Sequence, residues 1–274
     1  MKLKNLTVQP SALLAELVGT FILATVAITV ANPIIVGFTM LILVFAIGAV
    51  SGAHVNPAVT FGLWASKKLE GSKVPFYWIM QFAGALAALL VAQWFQGGNH
   101  GISFANFNSF DGKILVAELL GTAVFTFTVA AAVGRQLADS AKALCIGLGL
   151  LTGLAVGGGL LGAASQTPVT SKTGQASRVS KVDGVTVNPA IALASTEKAD
   201  QQGSLQSLTG QAPEQSSKQP SSRLTWETIV GTLAGGAIGA NLYVLTTGVN
   251  PFAREKKIAK VKATVTRVTK KGKK

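Results

Sequence analysis

The residues that stand out for their chemistry are two copies of the tripeptide Asn-Pro-Ala, at residues 56–58 and 188–190. The first copy lies in the stretch SGAHVNPAVT, residues 51–60, and the second lies in VTVNPAI, residues 185–191. Asn is a preferred helix N-cap and Pro is favoured at the first helical position, so each copy predicts the start of a short helix. Both copies lie beside long apolar runs, which points to a membrane setting for these helix starts.

Other residues suited to catalysis or metal binding are few. The chain has one cysteine, Cys145, so a disulfide within the chain is impossible, and its two histidines, His54 and His100, are not spaced as metal ligands. The sequence contains no Ser/His/Asp set, no Gly-rich phosphate loop and no exposed pair of carboxylates. It therefore gives no basis for an enzyme, a metal site or a bound cofactor.

The composition is typical of a membrane protein. Of the 274 residues, 49% are hydrophobic and only 13% are charged, and the mean hydropathy is +0.46. A soluble globular domain of this length carries more charge. The net charge of +13 would suit nucleic-acid binding. Most of the positive residues lie in tails and loops, however, so we expect them to face an anionic membrane surface and not a nucleic acid.

Six apolar runs are long enough to cross a bilayer. They cover residues 11–31, 34–50, 76–95, 114–133, 143–161 and 224–245. A cleaved signal peptide is the competing interpretation of the first run, but the run is too long for one and has an internal copy. With a cytoplasmic N-terminus, 17 of the 24 Lys and Arg residues lie on the inner side. This bias predicts an integral protein of the plasma (inner) membrane with both termini in the cytoplasm.

The chain contains an internal repeat. Residues 15–20, AELVGT, return 102 positions later as residues 117–122, AELLGT. The repeat predicts a first half at residues 1–110, a second half at 111–250 and a basic tail at 251–274. The tail could lie on anionic lipid as an amphipathic segment or remain in solvent.

Two polar insertions lengthen the second half. Residues 166–183 and 195–222 are rich in Ser, Gln, Thr and Lys, and we expect them to be solvated loops. In the last span, Gly231, Gly235 and Gly239 recur every four residues, which predicts close contact with another helix.

The repeat also predicts an inverted arrangement with a path at the midplane. Each half has three spans, so the second half must be inverted, and the two Asn-Pro-Ala triplets enter from opposite faces. Non-helical backbone at that depth must be buried or line a water-filled path. Glu16 and Glu118 are equivalent under the repeat and lie inside spans, where carboxylates are rare. We expect each to accept hydrogen bonds from the backbone of a re-entrant loop, with a proton relay as the alternative.

These motifs resemble the aquaporin and glycerol facilitator family. The resemblance is carried by the two triplets, the first within SGAHVNPAVT, and by Glu-x-x-Gly-Thr in the first and fourth spans. It implies an all-α membrane protein with six transmembrane helices and two re-entrant half-helices in an inverted repeat, assembled as a homotetramer with one pore per protomer. The pore motifs that it implies are Asn56, Pro57, Ala58, Asn188, Pro189 and Ala190. It also implies that His54 supports the re-entrant backbone, with a direct gating role as the alternative.

The implied pore has an intelligible physical basis. Two half-helices direct the positive ends of their dipoles at the midplane and repel cations there. A water molecule that accepts hydrogen bonds from Asn56 and Asn188 turns its own hydrogens away along the pore, which interrupts proton transfer. The alternative is that the two asparagines are plain N-caps without pore contact.

The chain departs from the family pattern at the constriction. Most members carry Arg directly after the second Ala, where this chain has Ile191. The other filter candidates are Val36, Leu154 and Val185. An aliphatic ring lacks a fixed charge and favours dewetting or less polar solutes. Arg178 or Lys181, in the first insertion, is a candidate substitute for the missing arginine.

The sequence thus predicts a passive channel for water, for small neutral solutes such as glycerol, or for both. The alternative is a membrane-structural or adhesion protein on the same fold with a closed pore, suggested by the aliphatic filter and the two long insertions. A driven transporter or an ion channel is disfavoured because no chain of titratable residues lies along the spans.

Overall fold

The computed structural model describes residues 8–97, 101–135, 137–166, 178–198 and 221–248. His100 and the basic tail lie outside these residues. Eight α-helices occur within them: α1 (Pro10–Thr29), α2 (Pro33–Ser51), α3 (Pro57–Ala65), α4 (Val74–Phe95), α5 (Gly112–Gly134), α6 (Asp139–Ser165), α7 (Pro189–Ala194) and α8 (Trp226–Thr247). All except α3 and α7 are long and apolar enough to cross a membrane. The six predicted spans are therefore confirmed.

Asn-Pro pairs begin three of these helices. Asn32, Asn56 and Asn188 have extended backbone and accept hydrogen bonds from the N–H groups two and three residues further on. The following proline stands at the first helical position, where its missing N–H has no intrahelical partner to lose. At its other end α2 stops at Gly52, whose φ of 93° lies in the left-handed region that glycine adopts without strain. The chain there turns into the first re-entrant segment.

The spanning helices carry large apolar side chains on their outer faces. Leu14 and Ile42 are each 62% exposed, and Trp94 is 75% exposed. In water such a surface would aggregate, whereas in a bilayer it faces lipid or a neighbouring subunit. The outward faces therefore agree with an integral membrane protein.

Glycines allow the paired helices to approach closely. A Cβ atom on Gly84 of α4 would lie 2.4 Å from the Leu17 carbonyl oxygen of α1, and one on Gly235 of α8 would lie 2.3 Å from the Leu119 carbonyl oxygen of α5. Leu119 follows Leu17 by 102 residues, which is also the offset of the sequence repeat. The close helix contact predicted for the glycines of the last span is confirmed.

The described ends of the two polar insertions are packed against the helices. Val179, Glu197 and Ser222 are each at most 3% exposed. Thr196 and Ser222 form an isolated β-bridge, and Ser221 forms another with Ser103. The expectation of solvated loops was therefore wrong for these three residues, which ion pairs and backbone hydrogen bonds hold in place, whereas Ser180, Asp183, Thr196 and Lys198 are exposed.

Candidate functional site

The two Asn-Pro-Ala triplets cap the half-helices α3 and α7. The Asn56 Oδ1 atom accepts the N–H groups of the second and third residues that follow it, at 2.7 and 3.4 Å. The Asn188 Oδ1 atom does the same at 3.0 and 3.4 Å. Since each oxygen is committed to its own helix, the amide nitrogen points away from that helix.

The two asparagines also join the half-helices to each other. The Asn56 Nδ2 atom donates to the Val187 carbonyl oxygen at 2.8 Å, and the Asn188 Nδ2 atom donates to the Val55 carbonyl oxygen at 2.9 Å. Val55 and Val187 both have positive φ, at 41° and 47°. An amide nitrogen carries two hydrogens. Each asparagine therefore keeps one hydrogen that no described protein group accepts.

Glu16 holds the first re-entrant segment in place. Its Oε1 atom accepts from the Ser51 hydroxyl at 2.7 Å and from the His54 backbone N–H at 2.9 Å. Its Oε2 atom accepts from the Val55 backbone N–H and from the Gln81 side-chain amide, both at 2.7 Å. A fully buried carboxylate is stable only with such partners.

Glu118 has the same arrangement in the second half, with one difference. Its Oε1 atom accepts from the Thr186 backbone N–H at 2.8 Å, and its Oε2 atom accepts from the Val187 backbone N–H at 2.8 Å. Where Glu16 has the neutral amide of Gln81, Glu118 has the guanidinium of Arg223, whose Nη2 atom lies 3.4 Å from Oε1. The second half therefore places a positive charge beside its re-entrant segment.

His54 is packed between the first re-entrant segment and α4. Its Nδ1 atom lies 3.1 Å from the Thr60 hydroxyl. The ring packs edge-on against Tyr77 with 5.1 Å between centroids, and the Tyr77 hydroxyl donates to the Ser51 carbonyl oxygen at 2.8 Å. These contacts fix the imidazole ring relative to the backbone around it.

Two cavities lie near the paired asparagines and share part of their lining. One, of about 160 Å³, we call the Arg223 cavity. The lining of this cavity includes Asn56, Asn188, Val36, Leu154, Val185, Ile191 and Arg223. The other, of about 340 Å³, we call the Lys68 cavity, and its lining includes Lys68 and Lys142. Met40 and His54 line both, so the two cavities adjoin at these residues.

A third cavity, of about 320 Å³, adjoins the Arg223 cavity on the side away from Met40. We call it the vestibule. Asp183, Ser195 and Arg223 line both spaces. The four filter candidates lie on one side of this junction, and Gln93 and Gln96 lie on the other.

Arg178 does not take the position of the missing filter arginine. Its guanidinium forms ion pairs with Glu197 and Glu227, which are 2% and 0% exposed, and Arg178 is not among the residues lining the Arg223 cavity or the vestibule. Burial lowers the pKa of Arg178, but the two carboxylates outweigh that effect and the net shift is upward. The expectation that Arg178 substitutes for the filter arginine was therefore wrong.

Two charged residues at this end of the molecule escaped the sequence analysis. Glu227 lies in the first turn of α8 and Arg223 lies just before it, so neither is deep inside an apolar run. Neither has a counterpart in the first half that the repeat would have marked. The one available signal was a pair of opposite charges, four residues apart, at the start of a span.

At the other end, Lys68 contributes to the wall of the Lys68 cavity. Its Nζ atom is buried with no hydrogen-bond partner among the described residues. It lies 5.3 Å from the centre of the Tyr243 ring, a cation–π distance. Burial lowers the pKa of the Lys68 ammonium. The Lys68 cavity therefore has a lysine side chain in its wall that is held against an aromatic ring.

Comparison with protein families gives one match over most of the chain. A family model described as "Major intrinsic protein" matches residues 2–169. The matched region includes the first Asn-Pro-Ala triplet and ends before the second. The second triplet is placed opposite the first by the hydrogen bonds between the half-helices.

Several curated proteins are similar to this chain. Aquaporin Z of Photorhabdus laumondii subsp. laumondii is 32% identical over 168 residues, which cover 51% of this chain and 72% of that protein. Aquaporin PIP1-5 of Zea mays is 39% identical over 92 residues, which cover 32% of this chain and 32% of that protein. The plant relative is thus matched over about a third of its length.

A solved structure shares the fold. The X-ray structure of the aquaglyceroporin from Plasmodium falciparum matches with a TM-score of 0.53, covering 85% of this chain and 94% of that one. The sequence identity is 19%, so the match concerns the fold alone.

Proposed function

This chain belongs to the major intrinsic protein family and is a membrane channel for water or small solutes, and we propose that it conducts both water and small neutral solutes such as glycerol. Members of that family are channels rather than enzymes. One observation supports the proposal most directly: the paired asparagines lie against a path formed by cavities that adjoin at Met40 and His54. The alternative of a structural protein with a closed pore is not favoured by these relationships.

Selection against ions and protons would occur where the half-helices meet. The positive ends of α3 and α7 face the path, and each asparagine offers one free amide hydrogen there. A water molecule that accepts a hydrogen bond from each amide turns its own hydrogens away from the midplane along the path. A proton therefore cannot be passed from one water molecule to the next through this point. Glu16 and Glu118 would act by holding the re-entrant backbone and not as proton carriers, since all of their oxygens are occupied by donors.

Selection by size and polarity would occur in the Arg223 cavity. Val36, Leu154, Val185 and Ile191 form an aliphatic wall there. Such a wall makes no hydrogen bonds with a solute, so it opposes hydrated ions and tolerates the carbon backbone of a small polyol. This is the reason to include glycerol beside water among the proposed solutes.

The test is osmotic shrinkage and re-swelling of proteoliposomes, followed by stopped-flow light scattering. With an impermeant osmolyte we expect shrinkage faster than in protein-free liposomes, because water leaves through the channel. With glycerol we expect rapid re-swelling as glycerol enters. Shrinkage and re-swelling no faster than in protein-free liposomes would contradict the channel function and favour a closed pore.

We further propose a homotetramer with both termini in the cytoplasm of a plasma (inner) membrane. Exposed apolar side chains on the spans supply surfaces for neighbours and lipid. Lys67, Lys68 and Lys73 follow α3, Arg135 follows α5, and Lys142 lies in the first turn of α6, so the Lys68 end carries an excess of positive charge in its short loops and helix ends. Native mass spectrometry tests the tetramer, and reporter fusions at both termini test the orientation.

A further inference from the structure

Arg223 stands at the junction of the Arg223 cavity and the vestibule. It lines both the vestibule and the smaller cavity that contains the asparagines, and it is 9% exposed. Among the residues that the structure describes, it is the only lysine or arginine lining either space. Arg223 shares this junction with Ala27, Ala31, Asp183 and Ser195, so a solute that moves between the two spaces passes a wall to which Arg223 contributes.

The backbone of Arg223 is fixed to the second half-helix. Its N–H group donates to the Ser195 carbonyl oxygen at 2.9 Å. The preceding hydroxyl, that of Ser222, donates to the carbonyl oxygens of Ala192 and Leu193 at 3.2 and 3.0 Å. These carbonyls belong to the last turn of α7 and have no partner within the helix. Arg223 is therefore positioned by the half-helix that carries Asn188, although it lies 35 residues further along the chain.

The guanidinium has N–H donors that no described residue accepts. Its Nη2 atom donates to the Gly184 carbonyl oxygen and contacts Glu118. Its Nε and Nη1 atoms have no acceptor among the described residues, and an arginine offers five N–H donors in all. The unused donors belong to a side chain that lines both the vestibule and the Arg223 cavity.

The surroundings make these donors and this charge important for a passing solute. A solute that enters the Arg223 cavity loses hydrogen bonds to water. The nearby aliphatic side chains cannot replace these hydrogen bonds; they are Val36, Leu154, Val185 and Ile191. Glu118 is completely buried, is already bound by Thr186 and Val187, and lines neither cavity, whereas Arg223 lines both. Without Arg223, the carboxylates of Glu118 and Asp183 would remain near the junction of the two cavities, and their negative charge would attract cations.

We propose that Arg223 is the specificity-determining residue of this channel, favouring neutral solutes with hydroxyl or carbonyl oxygens and repelling cations. This inference rests on the proposed channel function. Ile191, directly after the second triplet, provides no fixed positive charge. The proposal assigns that charge to Arg223, which lies before α8. The charge reaches the path from a different part of the chain than the sequence pattern suggested.

The test compares Arg223→Gln and Arg223→Lys with the wild type in proteoliposomes, using three measurements: water permeability, glycerol permeability and dissipation of a Na⁺ gradient. Arg223→Gln should retain water flux and raise the Na⁺ leak by about tenfold or more, because the path loses its repelling charge. Arg223→Lys should keep the leak low but reduce the glycerol-to-water ratio by about threefold, because an ammonium lacks the planar fork of donors.

Two further variants separate a role in the path from a role in folding. In Ile191→Arg/Arg223→Gln a guanidinium returns to the same cavity from a neighbouring wall position, so the Na⁺ leak should fall back toward that of the wild type. Lys113→Gln is the matched control, since it removes one exposed positive charge from the start of α5, near the same end of the molecule, and Lys113 lines neither the Arg223 cavity nor the vestibule. It should leave the leak and the glycerol-to-water ratio unchanged.

The outcomes distinguish this inference from the channel function itself. A wild type without water or glycerol flux would overturn both. A conducting wild type, together with an Arg223→Gln variant whose Na⁺ leak and glycerol-to-water ratio are unchanged, would overturn the role of Arg223 alone. If the Arg223→Gln protein does not reconstitute, the Arg223→Lys variant tests the proposal instead. An unchanged glycerol-to-water permeability ratio in that variant would overturn the specificity role of Arg223.

Discussion

At the scale of single residues, Glu16 shows how a buried carboxylate stabilises a re-entrant loop. We expect Glu16→Gln to lower the free energy of unfolding by roughly 3 kcal/mol, because its new NH₂ group faces donors and leaves buried N–H groups without an acceptor. Thermal unfolding of the detergent-solubilised protein measures the loss.

Glu70→Gln is the matched control for Glu16→Gln. The Glu70 side chain is 70% exposed and lies 3.7 Å from Lys73, and such surface pairs contribute little to stability. The control should unfold at the wild-type temperature. An equal unfolding temperature for Glu16→Gln would show that the four hydrogen bonds to this carboxylate do not stabilise the loop.

The internal sequence repeat determined which residues of the site could be predicted from the sequence. Asn56 and Asn188 stand in identical triplets, and Glu16 and Glu118 stand in nearly identical hexapeptides, so each member of a pair drew attention to the other. Arg223 has no such counterpart. It meets Ser195 and Gly184 through tertiary hydrogen bonds across a polar insertion, and no local periodicity encodes those contacts.

At the scale of elements, the contact between α5 and α8 depends on glycine. A Cβ atom on Gly239 would lie 2.0 Å from the Ala123 carbonyl oxygen. We expect Gly239→Ala to push the helices apart and destabilise the protein by about 1–3 kcal/mol, as overpacking does elsewhere. Thermal unfolding and the yield of reconstituted protein are the measurements.

The control for Gly239→Ala is Gly159→Ala in α6. A Cβ atom at Gly159 meets no other atom within 4 Å. Because alanine favours a helix over glycine, this variant should be neutral or slightly more stable. Equal stability of the two variants would mean that the α5–α8 contact tolerates a methyl group.

Hydropathy predicted the number of spans better than their ends. The fifth apolar run covers residues 143–161, whereas α6 extends from Asp139 to Ser165. Asp139, Ser140 and Lys142 prolong this helix at its start, and the small residues from Gly162 to Ser165 prolong it at its end, where the bilayer gives way to its interface and a large apolar side chain is no longer required. The half-helices were predictable because Asn-Pro marks a helix start, whereas their depth and mutual contact depend on both halves of the chain.

At the scale of the whole molecule, the proposed channel requires a path past Met40, which lines both the Arg223 cavity and the Lys68 cavity. We expect Met40→Trp to fill this junction and reduce water permeability to that of protein-free liposomes. Stopped-flow light scattering at equal amounts of reconstituted protein measures the change, and circular dichroism verifies that the helices are retained.

Ile42→Trp is the control for Met40→Trp. Ile42 lies on the same helix and is 62% exposed on the outer face, where tryptophan is accommodated by lipid. It should conduct like the wild type. A folded Met40→Trp protein with wild-type water flux would place the path elsewhere.

The hydrogen bonds from Asn56 to Val187 and from Asn188 to Val55 join the two halves of the chain, so they can form only after the second half has been synthesised. The partner of Asn56 lies 131 residues further along the chain. At ribosomal rates of about 5–20 residues per second, the first re-entrant segment waits on the order of ten seconds for that partner. During that interval the carbonyl oxygen of Val55 also lacks its donor, the Asn188 amide of the second half. The nascent first half is therefore an incomplete unit, and final closure of the midplane belongs to the last stage of biosynthesis.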